Sequence, residues 1–387
     1  MDFSLEPEIV ALKKMVRDFA EKEIVPHAAG WSERGEFPTS VFRQLGELGL
    51  MGMLVPEEWG GMNAGMVTYV AVMEEIGRAD QSVAAAWNAH STIASLPLVM
   101  FGTDEQKERW LRPLAEGRNI AAFGLTEPGA GSDAAGITTR ATRTEDGWVI
   151  DGAKIFISNA GTDMSLGVTV LAQTGTGADG RKQFGAFFVP KGTPGFEMGE
   201  PLKKLGWHAM DTRELYFANC FVGADHLIGD PEAGLTQFLS ALDPGRISVA
   251  SLGLSLSQAA LELGVDYAGI RSQFGRKIGE HQAIAHKVAD MATQVEAARW
   301  LVYRAAWLAD EGLPYRKEAA MAKLFASEVA NRVSSAGVQI HGGYGWMVES
   351  TIARFYSDAK ILEIGEGTSE IQRNVIARIV LSGGAGR

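Results

Sequence analysis

Apolar residues in the first 118 positions return every three or four residues, the spacing of a helix that buries one face. Ile9, Leu12, Val16 and Phe19 form one such stripe, Pro26 stops it, and the stretch from Val41 to Leu48 repeats the pattern. Thr103 with Gln106 three residues later predicts a helix start closed by a capping box. From about 119 to 228 the rhythm shortens. Thr138, Thr139, Thr142 and Thr144 are β-branched, Asp146-Gly147 is a hairpin turn signal, and Trp148-Val149-Ile150 and Lys154-Ile155-Phe156-Ile157-Ser158 suit strands. Residues 168–172 and 184–189 extend the run on either side of a Gly-rich loop over 174–180. From 229 onward helices return. Ile284, Val288, Met291, Val295, Ala298, Val302 and Ala305 alternate steps of four and three, which predicts one long helix with a continuous apolar stripe. Gly312 and Pro314 end it, and a further helix is expected over 317–340. Helices, then strands, then helices is not the alternation of a doubly wound parallel sheet. The expectation is a mostly α chain with a central β domain, divided at 1–118, 119–228 and 229–387.

Composition narrows the class of function. The chain has 387 residues, 46% of them hydrophobic, enough for two or three cores. Its net charge of -11, from 47 acidic and 36 basic residues, argues against general binding to nucleic acid or anionic membranes. No run approaches the eighteen or so consecutive apolar residues of a membrane span. Met1-Asp2-Phe3-Ser4-Leu5-Glu6-Pro7 lacks the basic start and apolar run of an export signal, and the single Cys220 reads as a small buried apolar residue. Together these point to the cytoplasm. The seven histidines are scattered without H-E-x-x-H or paired cysteines, so no metal site is expected.

The stretch that bears most on chemistry is Ile361-Leu362-Glu363-Ile364-Gly365-Glu366-Gly367-Thr368-Ser369-Glu370-Ile371-Gln372-Arg373. Glycines at 365 and 367 allow positive φ and close approach of a flat ligand to the main chain. Ser369 and Gln372 have capping-box spacing, so free N–H groups of a helix start would lie beside Glu366 and could receive an anionic or oxygen-rich group. Burial there would raise the carboxylate toward the range of a general base. A solvated loop acid between two turn glycines is the competing reading of the same residues.

Three other segments are candidates. Gly129-Ala130-Gly131-Ser132-Asp133-Ala134 contains G-x-G-x-x-A, but Pro128 precedes it and a β-branched stretch follows, so a nicotinamide Rossmann turn is disfavoured. A loop in which Thr126, Ser132 or backbone amides meet a ligand remains open beside a plain turn. Arg271-Ser272-Gln273-Phe274-Gly275-Arg276-Lys277 could hold a diphosphate through its arginines, or end a helix in solvent. Gln339-Ile340-His341-Gly342-Gly343 offers close backbone approach, or an ordinary helix stop.

The order and spacing of these motifs resemble the acyl-CoA dehydrogenase family along nearly the whole chain. The resemblance implies an N-terminal helical domain, a β-barrel-like middle domain and a C-terminal four-helix bundle, assembled as a homotetramer. It implies non-covalent FAD, an acyl-CoA substrate and an electron-transfer flavoprotein as acceptor. Phe123, Leu125, Thr126, Gly131, Ser132, Phe156 and Ser158 would contact the flavin. Arg271, Phe274, His281 and Gln282 would reach the diphosphate of a neighbouring subunit's FAD, and Gln339, Gly342, Gly343, Thr368 and Glu370 match the remaining cofactor contacts. Ser132, Asp243, Arg246 and Gly367 would meet the substrate.

By that resemblance Glu366 removes the α-proton of the thioester while the β-hydrogen leaves as hydride to flavin N5, in a fatty acyl β-oxidation step. Some members, the isovaleryl-CoA dehydrogenases among them, carry the base immediately before the arginine matching Arg246. Here that position is Gly245, which leaves Glu366. Phe156 stands where many members have tryptophan, Ser158 where they have threonine, and Gly365 where a tyrosine often precedes the base; the last change is expected to open the acyl pocket near the thioester. An acyl-CoA oxidase, a nitroalkane-oxidase-like flavoenzyme, whose base would be aspartate, and a non-catalytic protein on the same fold are the alternatives. The sequence leaves the acyl chain length open.

Overall fold

A computed structural model describes residues 4–383. Met1-Asp2-Phe3, part of the stretch read for an export signal, lies outside the described residues. The N-terminal helices are α1 (Pro7–Glu23), α2 (Val25–Arg34), α3 (Thr39–Glu47), α4 (Gly65–Ala79), α5 (Gln81–Ala89), α6 (Leu96–Phe101), α7 (Asp104–Gln106) and α8 (Arg112–Ala115). Val16 on α1 is buried as the stripe predicts, but Pro26 does not simply stop the chain's helical course. It occupies the first turn of α2, where its missing N–H costs nothing, and the break falls at Ile24. Thr103 and Gln106 form the expected reciprocal capping box.

Eight strands make the middle sheet: β1 (Ile120–Gly124), β2 (Arg140–Arg143), β3 (Gly147–Ser158), β4 (Ser165–Thr176), β5 (Lys182–Pro190), β6 (Phe196–Met198), β7 (Thr212–Gly223) and β8 (Leu227–Ile228). Their order is β6-β7-β3-β2-β4-β5-β8, with β1 parallel to β4 at the side. Asp146-Gly147 turns the β2–β3 hairpin as expected. The two segments expected after it are one strand, β3, paired with β7 along its length, with the register shifting by one residue between Ile150 and Gly152 and back between Lys154 and Ile157. One apolar cluster, with Trp148, Phe187, Phe217 and Cys220, fills the sheet's interior; another joins Phe188 and Phe123 to Trp110 and to Phe238 of the next helix.

That helix is α9 (Gly234–Ile270), followed by the hairpin β9 (Ser272–Gln273) and β10 (Arg276–Lys277), then α10 (Gln282–Asp310), α11 (Arg316–His341), α12 (Thr351–Ala359) and α13 (Ser369–Leu381). Met291, Val295, Ala298, Val302 and Ala305 of α10 are buried along the predicted stripe. α9 is long and apolar enough to cross a membrane by composition, but 78% of its apolar window is buried inside the molecule, the environment of a bundle's central helix. α11 packs along it through Ala319, Ala322, Ala326 and Ala330, small residues that let two helix backbones approach.

Candidate active site

The turn that carries Glu366 is built by three local choices. Thr368, with non-helical dihedrals, caps α13 by accepting a hydrogen bond from the Ile371 N–H at 3.3 Å. The cap is therefore Thr368 and not Ser369, which already lies in the first helical turn, with its buried Oγ unpaired. Gln372 instead turns back, and its Nε2 donates to the Gly367 carbonyl at 2.9 Å. Positive φ falls on Glu366 itself at 50° and on Gly367 at 95°, and not on Gly365. A non-glycine residue in that region is uncommon and held by its surroundings.

Those surroundings come from three distant helices. Asn88 on α5 donates from Nδ2 to Glu366 Oε1 at 3.3 Å, and its own Oδ1 accepts from the Tyr69 hydroxyl on α4 at 3.0 Å, which sets the amide's orientation. Lys323 on α11 donates from Nζ to the Gly367 carbonyl at 2.6 Å. Oε2 of Glu366 is buried without a partner. Burial pushes this carboxyl up to about 7, against the opposing pull of Lys323, Asn88 and Arg246. The solvated-acid reading therefore fails: this glutamate has one oxygen fixed and one oxygen free to take a proton near neutral pH.

Position 245 on α9 faces the same point. A Cβ there would lie 2.5 Å from Glu366 Oε2 and 3.4 Å from Cγ2 of Ile93. Glycine at 245 is thus what gives the Glu366 carboxylate its space. Ile93 reaches the site because the helix after α5 loosens into a π-helical turn over His90–Ala94, a local irregularity common at functional sites. Next along α9, buried Arg246 pairs with Asp243, which also lies 3.7 Å from Arg316. At Gly365 a Cβ would meet the Ile361 carbonyl at 3.5 Å, an ordinary contact, so the missing side chain leaves open room.

The loop over 125–133 is organised by Glu127, whose role the sequence did not disclose. Its carboxylate accepts from the N–H and hydroxyl of Thr138 at 2.7 and 2.8 Å, the Thr139 N–H at 2.9 Å and buried Lys154 Nζ at 2.8 Å. Burial alone would raise it, but the bonds to Lys154, Thr139 and Thr138 outweigh that and hold it near 2. After the glycines comes a short 3-10 turn, Ala134–Gly136, and then β2, so no Rossmann helix follows. Leu125 and Thr126 are half-buried, the Leu125 carbonyl accepts from Lys154 Nζ, and the Thr126 carbonyl accepts from Ile155 N–H. Gly131 and Ser132 are open to solvent. Phe123 stacks on Phe238 with centroids 4.1 Å apart, so its ring is committed to the core and only its backbone is left for a ligand.

FAD can be tested against this setting. Phe156, 65% exposed, stands at φ 62°, an unusual conformation for a bulky residue, at the irregular point of β3. Ser158 follows two residues on, and Asn159 ties that strand end to the Ala86 carbonyl of α5, two residues before Asn88. The strand and the Glu366 turn therefore meet the same helix. Around the α13 start, Ser369 Oγ and Gln372 Oε1 are buried and unpaired, and Glu370 lies in the first helical turn. An open aromatic face, hydroxyls and a free helix start fit a flat, oxygen-rich cofactor such as FAD.

The remaining expected residues lie elsewhere. Arg271 sits over the Tyr344 ring at 6.0 Å, and Tyr267 stacks on His341 at 4.4 Å, which joins the C-terminal end of α9 to the segment that follows α11. Phe274, at φ 52° on the hairpin tip, is 94% exposed, and His281, at the N-cap position of α10, has Nε2 3.2 Å from the Gln273 carbonyl oxygen. Gln282, Gln339, Gly342 and Gly343 are exposed beside them. Since a helix rises about 1.5 Å per residue, Arg271 lies ~37 Å along α9 from Arg246. The two groups of expected residues thus lie far apart along α9, one around Arg246 inside the helix and the other at its C-terminal end.

Among known proteins, three family descriptions match in order: acyl-CoA dehydrogenase N-terminal domain over 6–118, middle domain over 122–220 and C-terminal domain over 232–381. A probable acyl-CoA dehydrogenase of Bacillus subtilis is 47% identical over 98% of this chain and 100% of its own. The butyryl-CoA dehydrogenase of Megasphaera elsdenii superposes with a TM-score of 0.94 at 39% identity, covering 98% of this chain and 100% of that one. A chain from a structure of the electron transferring flavoprotein of Acidaminococcus fermentans does so at 0.94 and 40%, with the same coverage.

Proposed function

The chain belongs to the acyl-CoA dehydrogenase family, an oxidoreductase family that acts on acyl-CoA thioesters, and from that premise we propose that Glu366 is its α-proton base. The observation that carries this reading is the buried, unpartnered Oε2, held on a strained turn opposite the one residue, Gly245, that leaves it space. Glu366 abstracts the α-proton through Oε2 while Asn88 holds Oε1. The backbone N–H of Glu366 donates to the thioester oxygen, which stabilises the developing enolate. Bound FAD would supply the acceptor for the β-hydride and a ribityl hydroxyl as a second donor to that oxygen.

Thr126, Gly131, Ser132, Phe156, Ser158, Thr368 and Glu370 would hold the flavin end of FAD, with the backbones of Phe123 and Leu125 behind them. Ser132, Asp243, Arg246 and Gly367 would line the acyl-CoA path. The distal half-site, with Arg271, Phe274, His281, Gln282, Gln339, Gly342 and Gly343, would serve the diphosphate of a neighbouring copy, so the working form is a homotetramer. Its exposed Phe274, Tyr344 and Trp346 suit such a contact. An electron-transfer flavoprotein is the expected acceptor, supported by the likeness to a chain solved under that name. We place the reaction in cytoplasmic fatty acyl β-oxidation. The room at Gly365 favours a longer or branched acyl chain near the thioester; a kcat/KM panel that finds butyryl-CoA alone turned over, with Gly365→Tyr unchanged, would refute that.

The deciding experiment is anaerobic reduction of the flavin by acyl-CoA. Glu366→Gln should bind FAD and acyl-CoA with wild-type shape yet lose the reduction rate by roughly a thousandfold. Reduction near the wild-type rate would mean that the proton leaves by another route.

A further inference from the structure

Lys323 is fully buried, yet among the described residues it has no carboxylate within 4 Å. Burying an ammonium group costs several kcal/mol unless something recovers the loss. A neutral donor could satisfy the Gly367 carbonyl, and Gln372 already does so from the other side. The charge therefore needs a separate explanation, and the turn supplies one: Gly367 directly follows Glu366, and the strongest opposite charge acting on Lys323 is Glu366.

Resting on the reading of Glu366 as base, we infer that Lys323 is a positioning residue for this carboxylate: its bond to the Gly367 carbonyl fixes the positive-φ turn, and its charge favours the ionised base against the cost of burial. Arg246 on α9 adds a second, more screened positive charge, being paired with Asp243. Glu363 and Glu370 act on Lys323 from the flanks of the turn, and Tyr69, held protonated by burial and by Glu366, faces the base through Asn88. Of the charges on the base, Lys323 exerts the largest pull against the proton. In the reaction the negative charge passes from Glu366 to the substrate, and the lysine stays close enough to oppose premature protonation of the base before it acts.

The test is the pH profile of anaerobic flavin reduction in the holoenzyme, with Lys323→Met, Lys323→Gln and Lys323→Arg. Lys323→Gln keeps a donor near the Gly367 carbonyl and is expected to fold even if Lys323→Met does not. Both neutral variants should move the acid limb upward by about one pH unit or more, with rates recovering at high pH. Lys323→Arg should stay closer to the wild-type limb than either. In the substrate-free holoenzyme, the infrared carboxyl band that disappears in Glu366→Gln should titrate at correspondingly higher pH in the neutral variants. A merely structural lysine would lower rates equally at every pH; an unmoved limb and band in Lys323→Gln overturn the inference. If Glu366→Gln itself remains active, it is the base assignment that fails instead.

Discussion

A carboxylate with one oxygen tied to Asn88 and the other buried and unpaired titrates on different terms from a surface glutamate. Raised from 4.5 to about 7, Glu366 would have to lose its proton before acting as the proposed base, so flavin reduction should rise with pH through about 7. The same shift has a stability consequence. Between 4.5 and 7 the folded chain holds a proton that the unfolded chain has released, so stability falls as pH rises through that window. Glu366→Gln removes the penalty and should be more stable than wild type by up to about 3 kcal/mol at pH 8, a gap that narrows by pH 5. Urea unfolding at the two pH values checks this; equal gaps would refute the buried-carboxylate account. Glu127 has the opposite sign. Depressed to about 2, it contributes stability that is present above 4.5 and lost as pH falls toward 2. Glu127→Ala strands Lys154 and two threonine N–H groups, and should cost about 3–5 kcal/mol in denaturant unfolding together with flavin retention.

At the scale of elements, the site depends on how closely α9 and α11 approach, because one carries Gly245 and Arg246 and the other Lys323. The crossing is set at Gly253, where a Cβ would lie 2.9 Å from backbone atoms of Ala326. Gly253→Val should force the helices apart at a cost of about 1–3 kcal/mol and slow flavin reduction, although position 253 touches neither base nor substrate. Calorimetry and the anaerobic reduction assay check both halves; a variant of lower Tm with full activity would show that the turn tolerates helix displacement. At the start of α13, Thr368→Ala should cost about 1 kcal/mol through the lost cap.

Across the whole molecule, the three regions are joined at a buried junction of like charges. Asp358 on α12 accepts from the Trp207 N–H of the middle region at 2.5 Å, and Asp80, the cap of α5, lies close enough to repel it, with Arg354 3.5 Å from Asp80. Burial, and then Asp80, push Asp358 up to about 7. Its folded pKa exceeds the ordinary 3.8, so this junction weakens as pH rises between those values. Asp358→Asn keeps an acceptor for Trp207 and should raise Tm at pH 8 much more than at pH 5. A uniform change at both pH values would show that packing, not ionisation, governs the junction.

The sequence by itself determined the kinds of element and their segregation along the chain, and it singled out Glu366 as the candidate base. Helical stripes, the Asp146-Gly147 hairpin and the Thr103 capping box rest on interactions within a few residues, and those are written in local order. Where two local solutions compete, as between Thr368 and Ser369 for the cap or between Gly365 and Glu366 for the positive φ, the pattern alone chose wrongly. The tertiary structure decided the surroundings of Glu366. Asn88 stands 278 positions away, and Lys323 44 positions from Gly367. Lys323 did carry a signal, a lysine on the same face as Ala319, Ala322 and Ala326. Its meaning appears only when α11 brings that face to the base turn, because a pKa depends on burial and on charges that only folding brings together.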